Sequence, residues 1–210
     1  MYNILIAYIN SARGNLKMKK NKDKVKKPEA PKTETTMRGE IYDWMQSLVF
    51  ALIICIIVFV FLFRIVDVAG DSMNPTLTDG DKLVVSDVFY TPKQGDIIIF
   101  RKDDYKPEAL VKRVIATEGQ TIDIDFDRGR VYVDGELLDE PYIADLTKNQ
   151  LDFQGPQTVP EGCVFVMGDN RNASSDSRKA AIGMVDERLI IGKVLLRVFP
   201  FDSIGVPDGE

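Results

Sequence analysis

The sequence predicts a mostly β globule, barrel-like or of stacked sheets, placed after a single N-terminal transmembrane helix. Three observations lead to this class. Leu48–Phe63, LVFALIICIIVFVFLF, is wholly apolar. After Val66 the chain breaks into short runs rich in Val, Ile, Phe and Tyr, bounded by Gly, Pro and Asp, as strands between tight turns are. No long amphipathic helical pattern interrupts those runs. A chain of 210 residues has room for one domain and an anchor.

The elements follow in order. Residues 1–16, MYNILIAYINSARGNL, are mildly apolar and too short to span a bilayer. They read either as a short interfacial segment or as an artefact of the start assignment, with translation beginning at Met18. Lys17–Arg38 is rich in Lys, Pro, Glu and Thr without apolar periodicity, a composition that buries too little surface to offset chain entropy. Residues 1–43 are therefore expected as a disordered basic tail. Sixteen apolar residues span only about 24 Å as a helix. Extension back to Trp44 gives about 30 Å and places an aromatic ring at the interface, so the anchor is expected over residues 44–64. One alternative is a buried core helix, against which the lack of any polar face counts. A cleavable leader is the other; Asp67 would then stand at −3 with Ala69 at −1, where a small residue is required. Residues 65–210 form the β-rich body. Strands are expected at Leu83–Val88, Asp96–Phe100, Val111–Thr117, Thr121–Asp125, Arg130–Val133, Val164–Met167 and Gly192–Phe199, with a hairpin turn at Asp134-Gly135.

Charge divides the chain as hydropathy does. Residues 1–45 hold ten basic and five acidic residues; residues 65–210 hold 16 basic and 27 acidic. An acidic body argues against nucleic acid. Lysines ahead of an apolar span place the N-terminus in the cytoplasm and the body outside. The chain has no histidine, which excludes a Ser-His-Asp triad, a His-paired cysteine and a His-ligated zinc. Cys55 lies inside the apolar run and Cys163 far downstream, so the pair is not expected to form a disulfide and does not report the redox compartment.

Four segments stand out in the body. Gly70–Asp81, GDSMNPTLTDGD, holds Ser72 where Gly and Pro fix an irregular backbone; it reads as a structural turn or as a loop presenting a hydroxyl beside an N–H. Val111–Ala116, VKRVIA, puts Lys112 in an apolar run on the face of Val114 and Ala116. That lysine is either solvent-facing or a desolvated base. With no histidine a nucleophilic serine needs another base, and a lysine of ordinary pKa ~10.4 is neutral in only about one molecule in 2,500 at pH 7. Burial disfavours the ammonium and lowers that pKa. Gly168–Arg178, GDNRNASSDSR, is a polar surface loop or a fixed hydrogen-bonded network beside a site. Lys93–Phe100 reads as a turn and strand without evident chemistry. No Ser-x-x-Lys occurs, which counts against a β-lactamase-like site.

In this order and behind one anchor, the four segments resemble type I signal peptidases, over roughly Trp44 to Phe199. Gly-Asp-Asn-Arg with its downstream Ser-Asp-Ser-Arg is the most specific part. The resemblance implies a membrane-bound serine endopeptidase that removes signal peptides from secreted preproteins, after small residues at −1 and −3, through a Ser-Lys dyad and an acyl-enzyme. It implies Ser72 as nucleophile, Lys112 as general base and Ser174 as the hydroxyl that positions the lysine. It implies Arg113, Asp169, Asp176 and Arg178 as structural support. Some members carry a serine two residues before the nucleophile as an oxyanion donor; Gly70 stands there, leaving the backbone N–H groups of Gly70 and Ser72. No metal or cofactor is expected. The implied partners are signal-peptide-bearing preproteins, membrane lipid and a nearby secretion translocon, with no nucleic acid. Two rival readings are a Ser-Lys peptidase specialised for one substrate and an inactive membrane-tethered binding module.

Overall fold

A computed structural model describes residues 37–207. Helix α1 spans Met37–Leu62, 26 residues, with Glu40 in its first turn, where a carboxylate faces the positive end of the helix dipole. It starts one to two turns before Trp44, so residues 37–43 extend the helix; the expectation for residues 1–36 lies outside the described residues. Within Gly39–Leu62 its most apolar 18-residue window has a mean hydropathy of 2.9, enough in length and composition to cross a membrane. Every side chain from Glu40 to Phe61 is exposed, so the helix is not a buried core element.

Only Phe63 separates α1 from β1, Arg64–Asp67; Arg64, expected at the end of the anchor, begins a strand. Ten further strands follow: β2 Lys82–Ser86, β3 Ile97–Lys102, β4 Lys106–Ala116, β5 Thr121–Asp125, β6 Arg130–Val133, β7 Glu136–Leu137, β8 Gln157–Thr158, β9 Cys163–Met167, β10 Val185–Asp186 and β11 Ile190–Phe199. Seven form one antiparallel sheet in the order β1-β2-β11-β3-β4-β9-β10, and four form a second in the order β7-β6-β5-β8. The body is thus mostly β, as its strand pattern predicts. Asp134 and Gly135 both take positive φ, 54° and 81°, and join β6 to β7. Two residues with positive φ match the right-handed twist of the flanking strands.

The period of two sorts side chains between cores. On β3, Ile97 and Ile99 enter one cluster with Met73, Leu77 and Leu83, while Ile98 and Phe100 enter another with Val164 and Val166. On β9, Phe165 and Met167 turn instead toward Ile122, Ile124, Val131 and Phe153 of the small-sheet region. Strands buried on both faces read as continuous apolar runs, which is why IIIF and VFVM lack alternation. Lys112–Ala116 of β4 is buried on both faces too, and the first two of those residues are cations.

Candidate functional site

The serine loop is pinned from below. Met73 and Leu77 are 1% and 0% exposed, and Leu77 N–H donates to the Met73 carbonyl at 2.9 Å. Asp81, also buried, accepts from Thr78 N–H and the Thr78 hydroxyl, both at 3.0 Å, and closes the far end. Between these anchors the Asn74-Pro75 peptide is cis. Ser72 is left half-buried at the rim of the core.

Lys112 reaches it from β4. Its Nζ lies 2.7 Å from Ser72 Oγ and 2.7 Å from the Val111 carbonyl. The lysine is 2% exposed, and among the described residues no carboxylate forms an ion pair with it. Burial lowers its pKa from 10.5 to about 8; Asp176 and Asp169 oppose the shift, and Lys106 adds to it. Of the two readings of this lysine, the desolvated one describes the structure, because β4 is covered on both faces from residue 112 onward.

The third segment wraps the serine loop. Asn170 N–H donates to the Ser72 carbonyl at 3.1 Å, and its side-chain amide donates to the Asp71 carbonyl at 3.1 Å. Asp169 accepts Arg113 Nε at 2.9 Å and Nη2 at 2.8 Å, and the Thr76 hydroxyl at 2.5 Å. Arg113 Nη1 also donates to the Gly95 carbonyl at 2.9 Å, which gives the Lys93–Phe100 segment a structural part. Asp176 accepts from Gly168 N–H and from three nitrogens of Arg178, the backbone N, Nε and Nη2; that Nη2 also caps the Arg171 carbonyl at 2.7 Å. Gly168 is required sterically: a Cβ there would lie 2.3 Å from both the Ser72 carbonyl oxygen and Ser174 Oγ. The segment is therefore a fixed network and not a solvated surface loop.

Two expected contacts are absent. The Gly70 N–H donates to Asp79 Oδ1 at 2.7 Å, so it is not free to receive an oxyanion; the carboxylate nine residues on competes for it. The Ser72 N–H makes no hydrogen bond among the described residues. Ser174 Oγ, expected to touch Lys112, is buried without a hydrogen-bond partner and borders Gly168 instead. Thr76, Asn170 and Arg171 also take part in this network, and the Arg113 guanidinium lies over the Tyr142 ring. Asn170 and Arg171 were visible only as members of a polar stretch, and Thr76 and Tyr142 carry no local signal.

A cavity of about 490 Å³ opens over the pair. Val66, Asp67 and Ala69 form one wall with Ser72, and Glu108, Ala109 and Val111 form the other with Lys112. Both walls are strand edges without a partner among the described residues. β1 ends the seven-stranded order, and β4 pairs with β9 only from Arg113 onward, so its Lys106–Lys112 stretch is free on that side. An extended peptide can add to such edges through main-chain hydrogen bonds. The arrangement offers a hydroxyl, a desolvated amine, an unused N–H and a groove for an extended chain.

Comparison with known proteins follows the same lines. A family model described as "Signal peptidase, peptidase S26" matches residues 41–199. The chain is 36% identical over 185 residues to signal peptidase I of Bacillus licheniformis, covering 83% of this chain and 97% of that one. It is 36% identical over 188 residues to signal peptidase IB of Staphylococcus aureus strain COL, covering 80% and 94%. Among solved structures, a signal peptidase I from Enterococcus faecalis V583 is 31% identical with a TM-score of 0.41, covering 50% of this chain and 97% of that one.

Proposed function

Because the chain belongs to the signal peptidase family, peptidase S26, and is a serine endopeptidase that removes signal peptides, we propose that it works through Ser72 as nucleophile and Lys112 as general base. The observation that carries this reading is the 2.7 Å contact between Lys112 Nζ and Ser72 Oγ inside an apolar wall. When Lys112 is protonated its N–H donates along that line. When it is neutral the Ser72 hydroxyl donates to the amine instead, and the oxygen is ready to attack.

In acylation Lys112 takes the Ser72 proton as Oγ bonds to the scissile carbonyl carbon. The carbonyl oxygen gains the negative charge, and the Ser72 N–H is the backbone donor available to it. The tetrahedral intermediate collapses as Lys112 returns the proton to the leaving amine, which frees the mature protein and leaves the signal peptide esterified to Ser72. A water then gives its proton to Lys112 and its oxygen to the ester carbon. Collapse returns the proton to Ser72 Oγ and releases the signal peptide as a carboxylic acid, which loses its proton to solvent. Ser174 has a buried hydroxyl without a partner, a state that costs about 1–3 kcal/mol. A change of rotamer that lets it accept an N–H of Lys112 would relieve that cost and orient the base.

The substrate is the junction of a signal peptide and a secreted preprotein, laid along the two open edges beside Ala69 and Ala109. The basic N-terminal tail supports a cytoplasmic N-terminus, with the body on the outer side at the lipid surface, near the translocon that delivers preproteins. Cleavage of a model preprotein in detergent tests the dyad. Ser72→Ala abolishes it, and Lys112→Arg lowers it by on the order of 10⁴-fold or more, because a guanidinium cannot lose its proton near neutral pH. Substantial activity in Lys112→Arg would overturn the assignment of the base.

A further inference from the structure

The segment between β7 and β8 belongs to the small sheet's region, yet it reaches the supports of the dyad. The guanidinium carbon of Arg113 stands over the Tyr142 ring, 3.9 Å from its centroid, and that of Arg171 lies 5.8 Å from the same centroid. Glu140 accepts from Arg171 Nη2 at 2.5 Å and the Thr147 hydroxyl from Nη1 at 3.0 Å. Arg171 Nε donates to the carbonyl of Gly168, the residue that lies against Ser72. Arg113 follows Lys112 in sequence and carries the bidentate bond to Asp169. One short loop therefore covers both arginines that brace the site.

We propose that Tyr142 is a positioning residue for the dyad: its ring roofs the buried Arg113–Asp169 pair, holding Asp169 against the serine loop and keeping its charge paired with Arg113 and not with Lys112. The inference rests on the Ser72–Lys112 reading above.

The electrostatics give the ring its leverage. The charged groups that face Lys112 are Asp169 and Asp176, which favour its ammonium, and Lys106 on its own strand, which opposes it. Asp176 is paired with Arg178 and Asp169 with Arg113. Around the ring itself stand Arg113, Arg171, Glu140 and Asp169. A guanidinium over an aromatic face is held by the ring quadrupole, more strongly where water is excluded. Without that roof Arg113 gains water and freedom, and the Asp169 charge acts on Lys112 less compensated. The Tyr142 hydroxyl contributes little: it lies 3.4 Å from Glu140 Oε1, and burial holds the phenol neutral.

The test is the pH–rate profile of preprotein cleavage by the full-length chain in lipid vesicles. Tyr142→Leu, which keeps bulk and loses the aromatic face, moves the ascending limb up by about half to one pH unit. It lowers kcat at pH 7.5 by about threefold to tenfold while leaving KM within about twofold. Tyr142→Phe returns the limb to the wild-type position. Circular dichroism and Tm show that each variant is folded, and should Tyr142→Leu fail to fold, Tyr142→Met carries the same comparison. An unmoved limb in the folded Leu or Met variant would overturn the proposal, as would a Phe variant as shifted as Leu. A wild-type profile with no ascending limb, or an active Lys112→Arg, would instead sink the dyad reading on which it stands.

Discussion

Lys112 and Arg113 are consecutive cations on one strand, 2% and 4% exposed, and they live in opposite electrostatic surroundings. Adjacent residues of a strand point to opposite faces. Arg113 turns into the Gly168–Arg178 network, where Asp169 meets it with both oxygens and the Gly95 carbonyl takes a third bond. Lys112 turns toward the cleft, where it finds a hydroxyl and a carbonyl but no paired acid. The same burial thus has two results. In the network, pairing offsets desolvation and the charge stays. In the cleft, desolvation wins and the proton becomes easy to remove. The fold makes a base by withholding from Lys112 the partner it gives to Arg113.

Three experiments break or sharpen this contrast. The largest effect comes from breaking the paired side. Arg113→Met leaves Asp169 buried without its partner and lowers unfolding free energy by about 3–5 kcal/mol in urea titration. A loss under about 1 kcal/mol would mean that the pair carries little of the charge burial. The unpaired side should respond with the opposite sign. Burial lowers the Lys112 pKa to about 8 from the ordinary lysine value of 10.5, so between those values the unfolded chain holds a proton that the folded chain lacks. Stability must therefore rise with pH across that window, and the full penalty of about 3 kcal/mol applies below it. Lys112→Met, which has no charge to bury, is more stable than wild type by about that amount at pH 7, and the difference closes toward pH 10.5. A pH-independent difference would contradict the desolvation account. The smallest effect is that of Ser174→Ala: a loss of about 1–3 kcal/mol in transition-state stabilisation, or about fivefold to 150-fold in kcat. Its Tm should rise, since the variant removes a buried hydroxyl that has no partner and loses no hydrogen bond of the folded state. An unchanged rate would leave Ser174 without a part in the reaction.

What the sequence made legible follows from how local each signal is. The apolar helix, the five-residue and longer strands and the Asp-Gly turn all rest on neighbours in the chain, and they appear where composition puts them. The two-residue strands β7, β8 and β10 are too short to carry a period, and β1 holds only Ile65 and Val66 between two charged residues, too little pattern to mark a strand directly after the anchor. The contact between Ser72 and Lys112 spans 40 residues and was reachable only through family resemblance, supported by the missing histidine. At Gly70 a local rule was available as well: a carboxylate in the same loop, Asp79, accepts its N–H. Tyr142 was not legible at all. Nothing in Glu-Pro-Tyr-Ile announces that the ring will meet an arginine 29 residues earlier and another 29 residues later. Only the packing of the two sheets' connections brings them together.

The two bare strand edges beside the dyad also carry a hazard. An unpaired edge accepts any extended segment, and a second copy of the same chain offers one at every encounter in the plane of a membrane. The residues along these edges read as a defence. Asp67 on one side and Lys106 and Glu108 on the other are exposed charges, and Pro107 removes a donor from the outer end of β4. Stacking one molecule's edge on another's would strip water from those charges and leave the proline unmatched, so the register that would start a fibre is disfavoured. Nearer the dyad, where Ala109 and Val111 replace the charges, that protection stops. The open stretch is short enough to take one passing strand and too short to template a sheet.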